Sequence, residues 1–199
     1  LDLGNTNAKL AIFNNGKMIE KISIKTFSLD YLREIFLKYP NIKNLCFSNT
    51  SLALEDIDTF CKESKIKCIK IDYKSKLPIS IEYDTPHTLG SDRIALAVGA
   101  SIKYPGQKLI IDLGTCLTYD IVLGNKYIGG QISPGLHMRL LALNHYTKKL
   151  PKLNFQSPSN FIGTTTKKSM LLGVYDGIVF EIEGIIQKYK SRYSNITVI

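Results

Sequence analysis

The sequence predicts an α/β fold built twice over, in two lobes with mixed sheets, and three observations predict it. The segment DLGNTNAKLAIFNNGKMI from Asp2 is echoed by DLGTCLTYDIVLGNKYI from Asp112, an offset of 112 − 2 = 110 residues. Each copy opens on Asp-Leu-Gly, runs on as a β-rich stretch, meets a turn (Asn14-Asn15-Gly16, then Gly124-Asn125) and returns as a second apolar run, the signature of a hairpin. Around the hairpins, strand-like and helix-like segments follow the order β-β-β-α-β-α-β-α and then β-β-β-α-α-β, which belongs to the α/β class. The lobes are expected at residues 1–103 and 104–199.

The elements follow in order. Residues 28–39 carry Leu29, Leu32, Ile35 and Phe36 at helical spacing, with Ser28 placed to cap the helix. Asn44 to Ser48 reads as a short strand. Ser51 to Glu63 reads as a helix with Leu52, Leu54, Ile57 and Phe60 on its apolar side, and Ile66 to Ile71 as a strand. Beyond the loop holding Pro78 and Pro86, Asp92 to Lys103 is an Ala-rich helix ended by Pro105-Gly106. Leu109 to Ile111 is a strand leading into the second Asp-Leu-Gly. Gly135 to Tyr146 reads as a helix, and Thr166 to Tyr189 as a long amphipathic helix or a helix pair interrupted near Gly173 or Gly177. Ile196 to Ile199 is a final strand.

Composition narrows the class. At 199 residues and 44% hydrophobic content the chain can bury a real core. No apolar run approaches the roughly 20 residues that span a bilayer, and no signal peptide is visible, although no initiator Met opens the sequence. Cys46, Cys61, Cys68 and Cys116 form no CxxC pair and no metal-type spacing with His87, His137 or His145. Free thiols in a reducing cytoplasm are expected. The net charge of +9 attracts anions in general. Its densest stretch, Lys62 to Lys76, alternates with Ile66, Cys68, Ile69 and Ile71 as a strand with one solvated face would. No arginine and aromatic platform accompanies it, so nucleic acid is not an expected partner, nor is a membrane.

Five segments carry candidate chemistry. Asp2-Leu3-Gly4-Asn5-Thr6 places a carboxylate, a glycine and two hydrogen-bonding side chains at a hairpin turn. A glycine lets the backbone approach a phosphate, and the N–H groups of such a turn form an anion-binding concavity. Asp2 is suited to Mg²⁺, which takes one or two carboxylates besides phosphate oxygens and water. Asp112-Leu113-Gly114-Thr115 repeats the chemistry, and two such hairpins facing one polyphosphate make a nucleotide clamp. Gly90-Ser91-Asp92-Arg93 stands where a loop enters a helix. There Asp92 is either a first-turn carboxylate favoured by the helix dipole or a general base for a substrate hydroxyl, with Arg93 on an oxygen-rich substrate or in a surface ion pair. Gly129 to Gly135 (GGQISPG) is a tight turn or a ligand-facing loop. In Gly163-Thr164-Thr165-Thr166, either Thr165 or Thr166 caps the long helix, or a hydroxyl reaches substrate.

DLGNTNAK from Asp2, GSDR from Gly90, IDLGT from Ile111, GGQISPG from Gly129 and G-T-T-T-(x)₆-G from Gly163 to Gly173 occur in the order found in type III pantothenate kinases, and over essentially its whole length the chain resembles that family. The resemblance implies a duplicated actin-like ATPase fold, of the ribonuclease H-like kind. It implies ATP-dependent phosphorylation of pantothenate, the first step of coenzyme A synthesis, with Asp92 as proton acceptor. By likeness Asp2, Leu3, Gly4, Asn5, Thr6, Asn7, Ala8, Lys9 and Thr115 contact ATP, with Mg²⁺ held by Asp2 through the phosphates. Tyr83, Gly90, Ser91, Asp92, Arg93 and Thr166 contact pantothenate, Thr166 from the neighbouring subunit of a homodimer. Asp112 binds a monovalent cation, K⁺ or NH₄⁺. Family members carry residues before the first aspartate and a Thr-Gly-Gly-type loop near the adenosine beyond the last strand. Further chain is therefore expected beyond Leu1 and Ile199, and base and ribose contacts are assigned to no residue. The same family has also been described as Baf-type transcriptional activators, which leaves a non-catalytic regulator as the alternative.

Overall fold

The computed structural model describes residues 1–4, 7–49 and 55–199. The chain divides into two units, Leu1–Gly99 and Ala100–Ile199.

In the first unit, β1 (Asp2–Leu3), β2 (Ala8–Asn14), β3 (Lys17–Ile24), α1 (Leu29–Lys38), β4 (Asn44–Asn49), α2 (Glu55–Glu63) and β5 (Lys67–Lys70) precede β6 (Ser80–Ile81), a 3₁₀ turn at Pro86–Thr88 and α3 (Ser91–Lys103). The sheet order is β3-β2-β1-β4-β5. β1, β2 and β3 pair antiparallel, whereas β4 lies parallel to both β1 and β5. Alternation drives the arrangement: Ala8, Leu10 and Ile12 of β2 are buried, while Lys9 and Phe13 between and beyond them are exposed. That face joins Leu32 and Ile35 of α1, Phe47 of β4, and Ile57 and Phe60 of α2 in one core. Each such Leu, Ile or Phe contributes about 1.5–3 kcal/mol on burial. Ser28 caps α1 by accepting the Tyr31 N–H at 3.2 Å, and Phe36 meets Phe60 edge-on at 5.5 Å. On β5, Lys67, Ile69 and Lys70 all point outward and only Cys68 is half-buried, so the basic strand is a sheet edge. Charge at an edge discourages edge-to-edge pairing. Of the helix expected from Ser51, residues 51–54 lie outside the described residues. Neither β6 nor the 3₁₀ turn follows from the sequence pattern, because two or three residues carry no periodicity.

The second unit contains β7 (Lys108–Leu113), β8 (Cys116–Leu123), β9 (Lys126–Pro134), α4 (Leu136–His145), α5 (Thr166–Arg192) and β10 (Thr197–Val198). Its strands run in the order β9-β8-β7-β10, antiparallel except for the parallel β7–β10 pair. Leu109, Leu117, Tyr119 and Ile121 of the sheet pack on Leu140 of α4 and on Leu171, Val174 and Ile178 of α5. α5 is one helix of 27 residues, about 40 Å long, that passes Gly173 and Gly177 without a break. Each glycine disfavours helix by about 1 kcal/mol relative to Ala. Burial of three large apolar residues on the same stretch more than offsets that.

The duplication extends to irregularities. Both hairpins show a register shift, at Ile12/Phe13 and at Ile121/Val122, 121 − 12 = 109 residues apart. Both close with two-residue turns, Asn15-Gly16 (φ 48° and 78°) and Gly124-Asn125 (Gly124 φ 61°), 124 − 15 = 109 apart. Positive φ at these positions matches the twist of the flanking strands. The Asp-Leu-Gly offset is 110, because four residues separate the pair Leu3↔Ala8 and three separate Leu113↔Leu117. No helix among the described residues is long and apolar enough to cross a membrane, and the four cysteines are free.

At the head of α5, Thr165 accepts the Lys168 N–H at 3.2 Å, as a helix cap does. Thr165→Ala is expected to destabilise the protein by about 1 kcal/mol in urea denaturation. An unchanged midpoint would show that the cap contributes nothing.

Candidate active site

In the first unit the β1–β2 connection holds the first acidic turn. Leu3 and Ala8 anchor it, each 4% exposed with its side chain in the core, so these two residues can present only main chain to a ligand. The Gly4 N–H donates to the Asn7 carbonyl at 3.2 Å and closes the loop. Asn5 and Thr6 lie outside the described residues. Asp2 alternates with Leu3 and so turns away from the core. Its Oδ1 accepts from Ser48 Oγ at 2.7 Å, and Ser48 is its register partner on β4. Lys9, opposite Asp2 on β2, is exposed.

The Gly90–Arg93 segment enters α3. Ser91 and Arg93 are buried, Asp92 is half-buried, and Tyr83 is half-buried seven residues before Gly90. Asp92 Oδ1 accepts the Arg93 N–H at 2.8 Å, so the first-turn role is realised. A Cβ on residue 90 would collide with that carboxylate oxygen; glycine is what allows Asp92 to fold back over the loop.

In the second unit the Gly114 N–H donates to the Cys116 carbonyl at 2.9 Å, and Thr115 is exposed at the tip. Asp112 is half-buried at the end of β7, in register with Thr118. The GGQISPG segment ends against this turn: the Gly135 N–H donates to the Thr115 carbonyl at 3.1 Å. A Cβ at 135 would lie 2.5 Å from the Gly114 carbonyl oxygen and 2.6 Å from that of Thr115. This is the close approach that only glycine permits.

Behind the turn lies a polar cluster that the sequence analysis missed. Glu181 on α5 accepts from Ser133 Oγ, from the Arg139 guanidinium and, at 3.1 Å, from Tyr119 OH. Arg139 also donates through Nε to the Pro134 carbonyl at 2.7 Å, and through its backbone N–H to the Gly135 carbonyl at 3.0 Å. Burial pushes the Glu181 carboxyl upward, but the hydrogen bonds from Ser133, Arg139 and Tyr119 outweigh it and hold the group below its ordinary value. Burial, and then the neighbouring carboxylate, pushes the Tyr119 phenol well above its usual range. One signal was available. In the spacing Leu171, Val174, Ile178, Glu181, Ile185, the carboxylate occupies a place in the buried stripe.

Arg139 also lines a cavity of about 1130 Å³ between α4 and the head of α5, with Leu143, Met170 and Val174 on its apolar wall. Thr164, Thr165 and Thr166 line it too. Thr166 and Glu181, 15 residues apart on one helix, lie about 22 Å from each other along its axis. Among the described residues no group of three or more His, Cys, Asp or Glu side chains is arranged to hold a metal ion.

The model of the family described as type III pantothenate kinase matches residues 1–188. Among curated proteins of that name, one from Christiangramia forsetii is 38% identical over all of this chain and 83% of its own length. One from Flavobacterium johnsoniae is 36% identical, over all of this chain and 82% of its own length. A solved structure described as a conserved putative Baf family transcriptional activator from Campylobacter jejuni is 23% identical, with a TM-score of 0.54. It covers 92% of this chain and 76% of its own, and at that identity it speaks to the fold alone. The two mixed sheets agree with the duplicated actin-like fold.

Gly135→Ala is expected to lower stability by about 1–3 kcal/mol in urea denaturation, the usual result of forcing a methyl into a closed space. A variant as stable as the parent would mean that the segment can lift from the turn freely.

Proposed function

Because the chain belongs to the type III pantothenate kinase family, we infer that it transfers the γ-phosphate of ATP to the primary hydroxyl of pantothenate, the first step of coenzyme A synthesis. The observation that carries this reading is the match of the family model over residues 1–188 together with relatives 36–38% identical over all of this chain. The regulatory alternative rests on the description of one 23%-identical structure, which bears on fold only.

The residue roles are our assignment. Asp92 accepts the proton of the substrate hydroxyl as its oxygen bonds to the γ-phosphorus; the bridging P–O bond breaks and ADP leaves. A loose phosphoryl transition state asks mainly for such a carboxylate, an oriented nucleophile and positive charge on the phosphate oxygens. The existing hydrogen bond between Asp92 and the Arg93 N–H supports a fixed direction for that carboxylate. Tyr83, Gly90, Ser91 and Arg93 line the pantothenate side. The main chain of the Asp2–Lys9 turn, with Lys9, and Thr115 in the other unit are assigned phosphate contacts. Asp2 fits Mg²⁺ carried on phosphates: one half-buried carboxylate, oriented by Ser48 and, among the described residues, outside any cluster of ligands, suits an ion that keeps most of its shell as water and phosphate oxygen. Asp112 would hold K⁺ or NH₄⁺. The bound cations would supply charge against the phosphates.

A homodimer in which Thr166 reaches the neighbouring subunit's substrate is part of the proposal. Phe161 and Ile162, 94% and 67% exposed just ahead of Thr166, support an interface there. A cytosolic place of action completes it.

A coupled assay with ATP, Mg²⁺, K⁺ and pantothenate tests the reading, and absence of phosphopantothenate beside an active control would refute it. Asp92→Asn is expected to cut kcat by about 10²–10⁴ with little change in thermal midpoint; near-normal turnover would remove Asp92 from the role. In Asp112→Ala, activation by K⁺ should vanish along with most activity. Full turnover of the parent protein in Na⁺ alone would count against the cation assignment.

A further inference from the structure

We propose that Glu181 and Arg139 are positioning residues for phosphate binding, and that they act through Gly135 on the Gly114–Thr115 turn. The inference rests on the kinase reading for what the turn binds, but its geometry is independent of the acceptor.

Glu181 and Arg139 form an ion pair with side chains 25% and 21% exposed. Taking two charges out of water is expensive, and an apolar pair of similar volume in such a place is often as stable or more so. Glu181 also interrupts an otherwise apolar stripe on α5 that packs against the sheet. Stability alone therefore gives little reason for the pair.

Its partners suggest another. Among the described residues, every hydrogen bond made by the two side chains, apart from the one from Tyr119, goes to the partner charge or to Ser133 and Pro134. Those two residues end β9 immediately before Gly135. Arg139 holds this corner at the Ser133 hydroxyl, the Pro134 carbonyl and the Gly135 carbonyl. Glu181 ties both Ser133 and Arg139 to the rigid rod of α5. Gly135 then donates to the Thr115 carbonyl and packs against the carbonyls of residues 114 and 115. The chain of contacts from α5 to the tip of the turn is continuous. A displacement of about 1 Å in a binding element can change rate a hundredfold. The chemistry served is recognition of a nucleotide's phosphate oxygens; the pantothenate-side residues 83 and 90–93 belong to the other unit, and Thr166, assigned to the neighbouring subunit's pantothenate, stands about 22 Å along α5 from Glu181.

The test compares the parent protein with Glu181→Gln and with the double variant Glu181→Leu/Arg139→Met, which removes both charges at similar volume. Thermal midpoint, KM for ATP, KM for pantothenate and MgATP affinity by calorimetry are measured for each. We expect KM and Kd for ATP to rise about tenfold or more in both variants. KM for pantothenate should stay within about twofold of the parent in Glu181→Gln, which leaves the cavity shared by Arg139 and Thr166 intact, and the double variant should melt close to the parent. ATP parameters within twofold of the parent overturn the proposal. So does an equal rise in both KM values, which would mark general loosening, and so does failure of both variants to fold, which would make the pair purely structural. If the parent protein binds MgATP but makes no phosphopantothenate, the kinase reading fails. The proposal is then decided by the calorimetric shift alone.

Discussion

Two short stretches of antiparallel ladder carry the most weight in this molecule: Asp2 and Leu3 on Lys9 and Ala8, and Asp112 and Leu113 on Thr118 and Leu117. Side chains alternate along a strand, so register decides which of Asp and Leu enters the core. In the first copy Leu3 is buried beside Leu10 and Ile12, and Asp2 is left on the other face with Ser48 beneath it. A slip of one residue would drive a carboxylate into hydrocarbon and expose a leucine. In this copy the hydrophobic core thus fixes where Asp2 stands, whereas in the second copy Leu113 is 47% exposed and the ladder alone sets the place of Asp112. The two-residue turns at the far ends of the hairpins, with positive φ, pin the same register from the other side.

The polar cluster behind the second turn obeys a different logic. A carboxylate on a packed helix face is tolerable when its hydrogen bonds are satisfied, and Glu181 has donors from three side chains. Such a cluster is directional where a leucine would not be. An apolar replacement could fill the volume but could not dictate the angle at which Pro134 and Gly135 leave the sheet. The glycine completes the device, because contact at 2.5–2.6 Å from a would-be Cβ leaves the corner no alternative path over the turn. Stability and position are separate demands here, met by different residues.

Much of this was legible in the sequence, and the failures have physical causes. The hairpins and their duplication could be read because Asp-Leu-Gly and the Gly/Asn turns are local signals. The change of offset from 110 to 109 could not, since a loop shortened by one residue leaves no mark until the ladder is paired. Of the two readings of residues 166–189, a single helix or a pair interrupted near Gly173 or Gly177, the single helix holds: propensity is a weak preference beside the burial of Leu171, Val174 and Ile178. Ser48, Arg139 and Glu181 escaped notice because their partners are distant in sequence. Tyr119, Ser133 and Arg139 stand 62, 48 and 42 residues from Glu181. Of the readings open for Gly163–Thr166, the cap is realised at Thr165, yet the cavity beside it depends on α4 meeting α5, which no local pattern encodes.

The two readings of Asp92 are not rivals. Its oxygen already accepts the Arg93 N–H in the first turn of α3, which holds the carboxylate in one direction. A carboxylate is an adequate base for phosphoryl transfer through a loose transition state, because the attacking oxygen gives up its proton late, after its own acidity has risen with bonding to phosphorus. Before that moment the carboxylate must be correctly aimed, and the bond to the Arg93 amide fixes its direction. Under the proposed assignment, the first-turn geometry and the aim of the base are therefore one arrangement.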